Sequence, residues 1–286
     1  MKTIILLLTL LVAAPLLAQD LFKPEEKGLS DFEDLELGQK TSKNKKSKKE
    51  EKEFLGTADH KQQIQLLYLN NFYQYTQKGS GVTYDLANDS GNGVFIKFDR
   101  WIEDNSRQMS FTIMNSQSDF QEPTSIGGLN AKVSKTYLAA TYHKYFWHNE
   151  AEKSSYSFEF GAGFLSQKPG TFTSDQLVSD YTILGPIVAL NYNKILKHRW
   201  SVKARAGLLL PMIFNEGTNT GYHDFSAHTL TSGIFSYVIN ENLNFDFGLI
   251  LEYEWHKFSG SGDRGVTDAK DSYLNYSLPI GLTYLF

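Results

Sequence analysis

The chain has 286 residues, no cysteine and a formal net charge of −4. The lack of cysteine excludes disulfides, thiolate metal sites, thiol nucleophiles and a cysteine-borne lipid anchor, and the mild negative balance gives no ground for a nucleic-acid partner. The length suits one domain, and a hydrophobic fraction of 41% is enough for a barrel that spends every second strand residue on a polar face.

The N-terminus, MKTIILLLTLLVAAPLLAQD, has one basic residue, an apolar run from Ile4 to Leu17 and then Ala18. That pattern reads as a signal peptide over residues 1–18, although Leu16 stands where a small residue is usual three positions before the junction. The run is too short to span a bilayer comfortably, and no later segment offers about 18 consecutive apolar residues, so membrane-spanning helices are not expected. Residues 19–61 then change composition: Pro24 to Leu37 is acidic, and KTSKNKKSKKEEK at 40–52 is mostly lysine. Neither part can bury enough apolar surface to offset the entropy of ordering it, so a disordered, charged, periplasmic arm is expected. Such an arm is either a solvated spacer or a polybasic tether to a protein or an anionic partner, such as cell-wall polymer or lipid head groups.

From residue 62 onward ten strands are expected, near 64–76, 93–102, 107–117, 132–146, 155–166, 180–195, 199–211, 226–239, 243–258 and 272–286. The first is the least regular: IQLLYLNNFYQY lacks clean alternation and also suits a short helix. Losing it together with the poorly patterned 93–102 segment would leave eight. Connections alternate between compact turns, near 103–107, 148–155, 197–199 and 240–242, and longer loops rich in Gly, Ser, Thr, Asn and Asp, near 77–92, 118–131, 167–179, 212–225 and 259–271. In LNFDFGLILEYEWHKF, residues 243–258, Leu243, Phe245, Phe247, Leu249, Leu251, Tyr253 and Trp255 share one parity, while Asn244, Asp246, Gly248, Glu252, Glu254 and His256 share the other. Successive strand side chains point to opposite faces, so one face is dry and one wet. A soluble barrel turns the dry face inward; a membrane barrel turns it out to lipid. Regular alternation of short and long connections favours the membrane barrel.

The last strand, SYLNYSLPIGLTYLF, places Leu274, Tyr276, Leu278, Ile280, Leu282, Tyr284 and Phe286 on one parity and ends the sequence on Phe286. With Gly281, Tyr284 and Phe286 it resembles the closing strand of bacterial outer-membrane transmembrane β-barrel proteins, Pro279 standing where that pattern usually has a polar residue. The resemblance covers residues 62–286 as architecture and singles out no family. It implies an all-β, antiparallel up-and-down barrel in the bacterial outer membrane, with lipid and the outer-membrane assembly machinery as partners, the latter reading the C-terminal signal. Trp101, Trp147 and Trp200 near the short turns and Trp255 near a long loop then suit two aromatic girdles.

With the apolar parity facing lipid, Lys203, Arg205, Glu159, Asp246, Glu252 and Glu254 share a narrow lumen, where unpaired charge is costly and ion-pair networks are expected. The network either fills a closed interior or lines the constriction of a narrow pore. An enzyme is the third possibility. His223 and His256 fall near the outer rim with Asp224, Asp263, Asp268 and Asp271, a placement open to general-base chemistry. Yet no His-x-Ser of the lipid A deacylase and phospholipase type occurs: Thr229 and Leu230 follow His228. The Asp-Asp pair of omptin-type proteases is missing too, and the single Asp-His, Asp59 and His60, lies on the periplasmic side. The glycine-rich GSGVTYDLANDSGNG has no strand-to-helix context for a phosphate, and SGSGDRGVTDAKD lacks the spacing of a calcium loop. No cofactor, metal or catalytic residue is assigned. A structural or binding role in the envelope, within a larger assembly, is the expectation, ahead of a pore and of an enzyme.

Overall fold

The computed structural model describes residues 62–87, 90–102, 107–121, 130–149, 153–169, 180–196, 199–216, 222–260 and 267–286. The expected signal peptide and arm, residues 1–61, lie outside the described residues. The strands are β1 (Gln62–Gly79), β2 (Val82–Ala87), β3 (Ser90–Ile102), β4 (Arg107–Gln121), β5 (Asn130–Asn149), β6 (Ser154–Pro169), β7 (Tyr181–Ile195), β8 (Trp200–Leu209), β9 (Ile213–Glu216), β10 (Tyr222–Asn240), β11 (Leu243–Ser259) and β12 (Lys270–Leu285). Ten of them close into an antiparallel barrel in the order β1, β3, β4, β5, β6, β7, β8, β10, β11, β12 and back to β1. Pairing of β12 with β1 joins the two ends of the ten-stranded sheet, as a bilayer requires of a spanning sheet. The seal is completed by Gln62 and Phe286, whose backbone groups exchange hydrogen bonds of 3.0 and 3.1 Å.

The other two strands belong to the long-loop rim. β2 folds back on the outer half of β1, and the tight turn between them, Ser80–Gly81, has both residues in the left-handed region, φ 47° and 78°. Such primed turns match the twist of the strands they join. β9 continues the line of β8 after an interruption at 210–212 and, among the described residues, pairs only with β7. Its cause is proline. Pro186 on β7 accepts a hydrogen bond from Leu210 N at 3.0 Å but has no N–H to return, and Pro211 follows at once. Pro279 acts likewise on β12, where the ladder to β11 omits Gly248 and Leu249 opposite Pro279 and Leu278.

Burial alternates along most barrel strands, while on β8 nearly all residues are half-buried. On β1, Ile64, Leu66 and Tyr68 are exposed while Gln63, Gln65, Leu67 and Leu69 are buried. β1 is therefore a full strand and not a short helix; its alternation was obscured because Leu67, Leu69, Tyr73 and Tyr75 make its inner face apolar as well. All ten barrel strands contribute exposed large apolar residues, among them Phe111, Phe158, Val188, Phe235, Phe247, Leu249, Ile280 and Leu282. Soluble monomers rarely expose contiguous apolar patches beyond a few hundred Å². A girdle of this kind, with Asp99, Glu159, Asp246, Glu252 and Glu254 buried inside, is the inverse of a soluble barrel and suits a bilayer as solvent.

Candidate functional site

Inside the barrel the described residues form two polar networks and, between them, a cluster of apolar side chains. At mid-height Leu67, Met114, Ile187, Leu209 and Ile250, each at most 2% exposed, pack with Ala139 and Ile234 into one cluster. On neighbouring strands Gly163 leaves room for the side chains of Ile187 and Leu209, and Gly207 leaves room for the Arg205 guanidinium.

Towards the short turns lies the first network. The Arg205 guanidinium donates from Nε and Nη2 to the two oxygens of Glu159, both at 2.8 Å, a fork that fixes orientation as well as charge. Asn191 donates to the same carboxylate at 3.2 Å. Asp99 accepts from Gln63 at 2.5 Å, pairs with Lys97 at 3.2 Å and contacts the Ser110 hydroxyl, which in turn lies 2.9 Å from His143 Nε2. Asp246 accepts from Gln65 at 2.8 Å and from Thr283. Lys203 lies on the inward parity of β8, two residues from Arg205.

The second network lies towards the long loops. Lys135 of β5 reaches across the barrel to β11, where its ammonium stands 3.3 Å from Glu252 Oε1 and in contact with Glu254. Glu252 also accepts from Asn275 at 2.6 Å and faces His228 Nε2 at 3.3 Å. Glu254 accepts from the Tyr181 hydroxyl and lies 3.5 Å from His256 Nε2. From there a relay runs to the rim: His256 Nδ1 to Ser226 Oγ at 2.7 Å, and Ser226 Oγ to His223 Nε2 at 2.5 Å. The ring of His223 stacks on Phe214 with centroids 3.8 Å apart. Tyr73, Tyr75, Tyr273, Phe120 and Phe258 are buried on the same side, towards the long loops.

The six charges named from sequence thus do not form one cluster. Arg205 and Glu159 pair in the first network, Asp246 joins it through Gln65 and Thr283, and Glu252 and Glu254 belong to the second, with a cation the sequence did not single out, Lys135. On β11 the two groups are separated by Gly248 and Ile250, while Arg205 reaches past them to the Leu230 carbonyl at 3.3 Å and to the Tyr137 hydroxyl, whose ring lies 5.7 Å from that of His228. Lys135 shares its parity with Val133 and Tyr137, which was the available signal. His228, Glu252 and Glu254 bring metal-capable atoms within 4.8 Å of one another, but the Lys135 ammonium between the carboxylates supplies the positive charge itself.

His256 is flanked by Glu254 of its own strand, 3.5 Å from its Nε2, and by Asp271, one of the expected aspartates, its register partner on β12. Asp224 accepts from Ser259 at 2.9 Å and pairs with Lys257 at 3.0 Å at the surface. Asp268 caps the Gly260 amide at 2.9 Å; Asp271 stands opposite His256 in the strand register and accepts from Gln77 at 3.1 Å; Asp263 lies outside the described residues. Of the tryptophans, Trp147 and Trp200 are exposed on the outer face and Trp255 lies on the outward parity of β11 against Phe225. Trp101 departs from the expected girdle: it shares the inward parity of Lys97 and Asp99 and is 9% exposed. At the C-terminus Tyr284 and Phe286 face outward with stacked rings, while Gly281 faces inward where a Cβ would overlap the Leu66 carbonyl oxygen of β1.

No protein-family model matches the sequence, and no curated protein does. Solved structures do match. The outer membrane protease OmpT from Escherichia coli superposes with a TM-score of 0.53 at 8% identity, covering 80% of this chain and 98% of that one. The fold is that of bacterial outer-membrane β-barrels. The outer membrane protein OprG from Pseudomonas aeruginosa (TM-score 0.36, 10% identity, 79% and 97% covered) and the translocator domain of autotransporter NalP from Neisseria meningitidis (0.39, 13%, 86% and 96%) also match, with scores too low to add to the argument. At these identities the likeness extends to the fold and not to any site.

Proposed function

We propose that this chain is a non-conducting barrel of the bacterial outer membrane, with a structural or binding role exercised at its long-loop rim. The observation that carries this reading is the apolar cluster between the two networks: Leu67, Met114, Ile187, Leu209 and Ile250 point inward yet are each at most 2% exposed, which speaks against a water-filled lumen at that level. Pores keep a polar, hydrated lumen. Arg205 with Glu159 on one side of that cluster, and Lys135 with Glu252 and Glu254 on the other, are paired, which supports their role as interior packing of a narrow barrel. The Lys-rich stretch 40–52 is proposed as a periplasmic tether to an anionic or protein partner within a larger envelope assembly. The protease chemistry in the name of the OmpT structure is not carried over, since the chain lacks the Asp-Asp pair of that enzyme class.

The test is single-channel recording on the refolded protein in planar bilayers. A closed lumen gives no resolved openings under an applied potential of either sign; steady, stepwise conductance from the wild-type protein would replace this reading with a narrow pore.

A further inference from the structure

One stretch of the barrel wall is sealed by side chains where backbone hydrogen bonds would be expected. β10 pairs with β8 from His228 (opposite Leu209) down to Tyr237, but its outer part, Tyr222 to Ala227, pairs only with β11 among the described residues. On the other side, residues 210–216 are held to β7 through Leu210 N to Pro186 O, Met212 N to Leu184 O and the β9 ladder. No ladder joins β9 to β10 among the described residues. The two prolines, Pro186 and Pro211, mark the interruption between β8 and β9, and Gly185 is the position where the Leu210 carbonyl comes so close that a Cβ would overlap it.

What fills the seam is the Phe214 ring, lying flat on His223 at an interplanar angle of 4° and touching Tyr181, His256 and Phe258. The lips are apolar and exposed: Leu210, Met212 and Ile213 on one side, Tyr222 and Phe225 on the other, with Met212 and Tyr222 at 79% and 81%. These lips continue the outward apolar face of β8 and β10, and Phe225 packs on Trp255, an indole of the kind that marks head-group level. Unpaired backbone is costly in hydrocarbon and tolerable where water reaches, which suits a seam at that level.

We propose that the seam between β9 and β10 is a lateral binding site for one acyl chain of an outer-leaflet lipid, which enters by turning aside the Phe214–His223 stack. The inference rests on the membrane reading above. The chain end comes to lie against Phe214, His223 and Phe258, and the polar part of the lipid stays outside the lips formed by Met212, Tyr222 and Phe225.

The experiment uses the full-length protein folded into phosphatidylcholine vesicles that contain a small fraction of phosphatidylcholine bearing a diazirine on one acyl chain. After photolysis, adducts are mapped by mass spectrometry. The expected result is labelling of outward residues such as Phe247 and Ile280 and, in addition, of the inward residues Phe214, His223 or Phe258. Phe214→Ala is expected to raise labelling of His223 and Phe258 severalfold, provided its mobility on unheated gels shows a folded barrel; otherwise the wild-type map decides. Adducts confined to outward residues in both proteins would overturn the seam as a lipid site and leave the membrane barrel standing. Absence of adducts from the outward face as well would overturn the membrane reading itself.

Discussion

Replacing Lys135 by Met should be among the most damaging single changes in the barrel. Lys135 is 3% exposed, Glu252 1% and Glu254 0%, so the pair of carboxylates has little water to turn to when the ammonium is lost. Asn275 and His228 still satisfy part of Glu252, and Tyr181 part of Glu254, but these supply hydrogen bonds and no fixed positive charge. Removing one partner of a buried pair typically costs about 3–5 kcal/mol, which for a barrel of this size corresponds to a loss of roughly 6–20 °C in unfolding midpoint. The assay is the temperature at which the compact, unheated gel band converts to the unfolded one, alongside urea unfolding in detergent. The double variant Lys135→Met with Glu254→Gln removes one of the stranded charges, and a coupling energy of about 1–3 kcal/mol is expected from the cycle. Acidification supplies the missing positive charge as a proton, so the deficit of Lys135→Met should shrink as pH falls. A loss below about 1 kcal/mol, or a double variant as unstable as the sum of the two singles, would mean that Glu252 and Glu254 are solvated and that the lumen is open.

Three further outcomes follow from the same geometry. Ile280→Arg places a charge on the exposed outer face among Leu278 and Leu282 and should cost about 2–4 kcal/mol if that face meets lipid; little or no change in vesicle unfolding experiments would point to water there. Arg205→Lys keeps the charge and loses the two-pronged contact with Glu159, so about 1.5–3 kcal/mol should be lost in urea titrations, while full stability would show that the fork contributes no more than a point charge. Gly281→Ala should slow or weaken barrel closure in purified refolding, because its Cβ overlaps the Leu66 carbonyl; normal refolding in vitro with poor assembly in cells would assign Gly281 to the assembly signal instead.

Much of the barrel was legible because a membrane strand advertises itself with a period of two and because short and long connections alternate. Phe247, Leu249, Glu252 and Glu254 were placed on their correct faces by parity alone. Trp101 could have been placed the same way, from Lys97 and Asp99 on its strand, but its nearness to a turn suggested the girdle. Where both faces are apolar, as on β1, parity loses its contrast. Contacts across the lumen, such as Lys135 with Glu254, depend on how the strands are staggered around the barrel, and strand spacing in sequence does not encode that stagger. The β9–β10 seam was invisible for a related reason: Pro186 acts on the neighbouring strand, and only the register shows that Leu210 is its neighbour.

The most direct test is fractionation of the envelope followed by gel mobility with and without boiling. A closed barrel with its apolar face in lipid predicts recovery in the outer-membrane fraction and a fast-migrating band that slows on boiling. Recovery in the soluble periplasm with no shift in mobility would contradict it, because Phe247 and Leu249 would then have to be core and Glu252 and Glu254 surface.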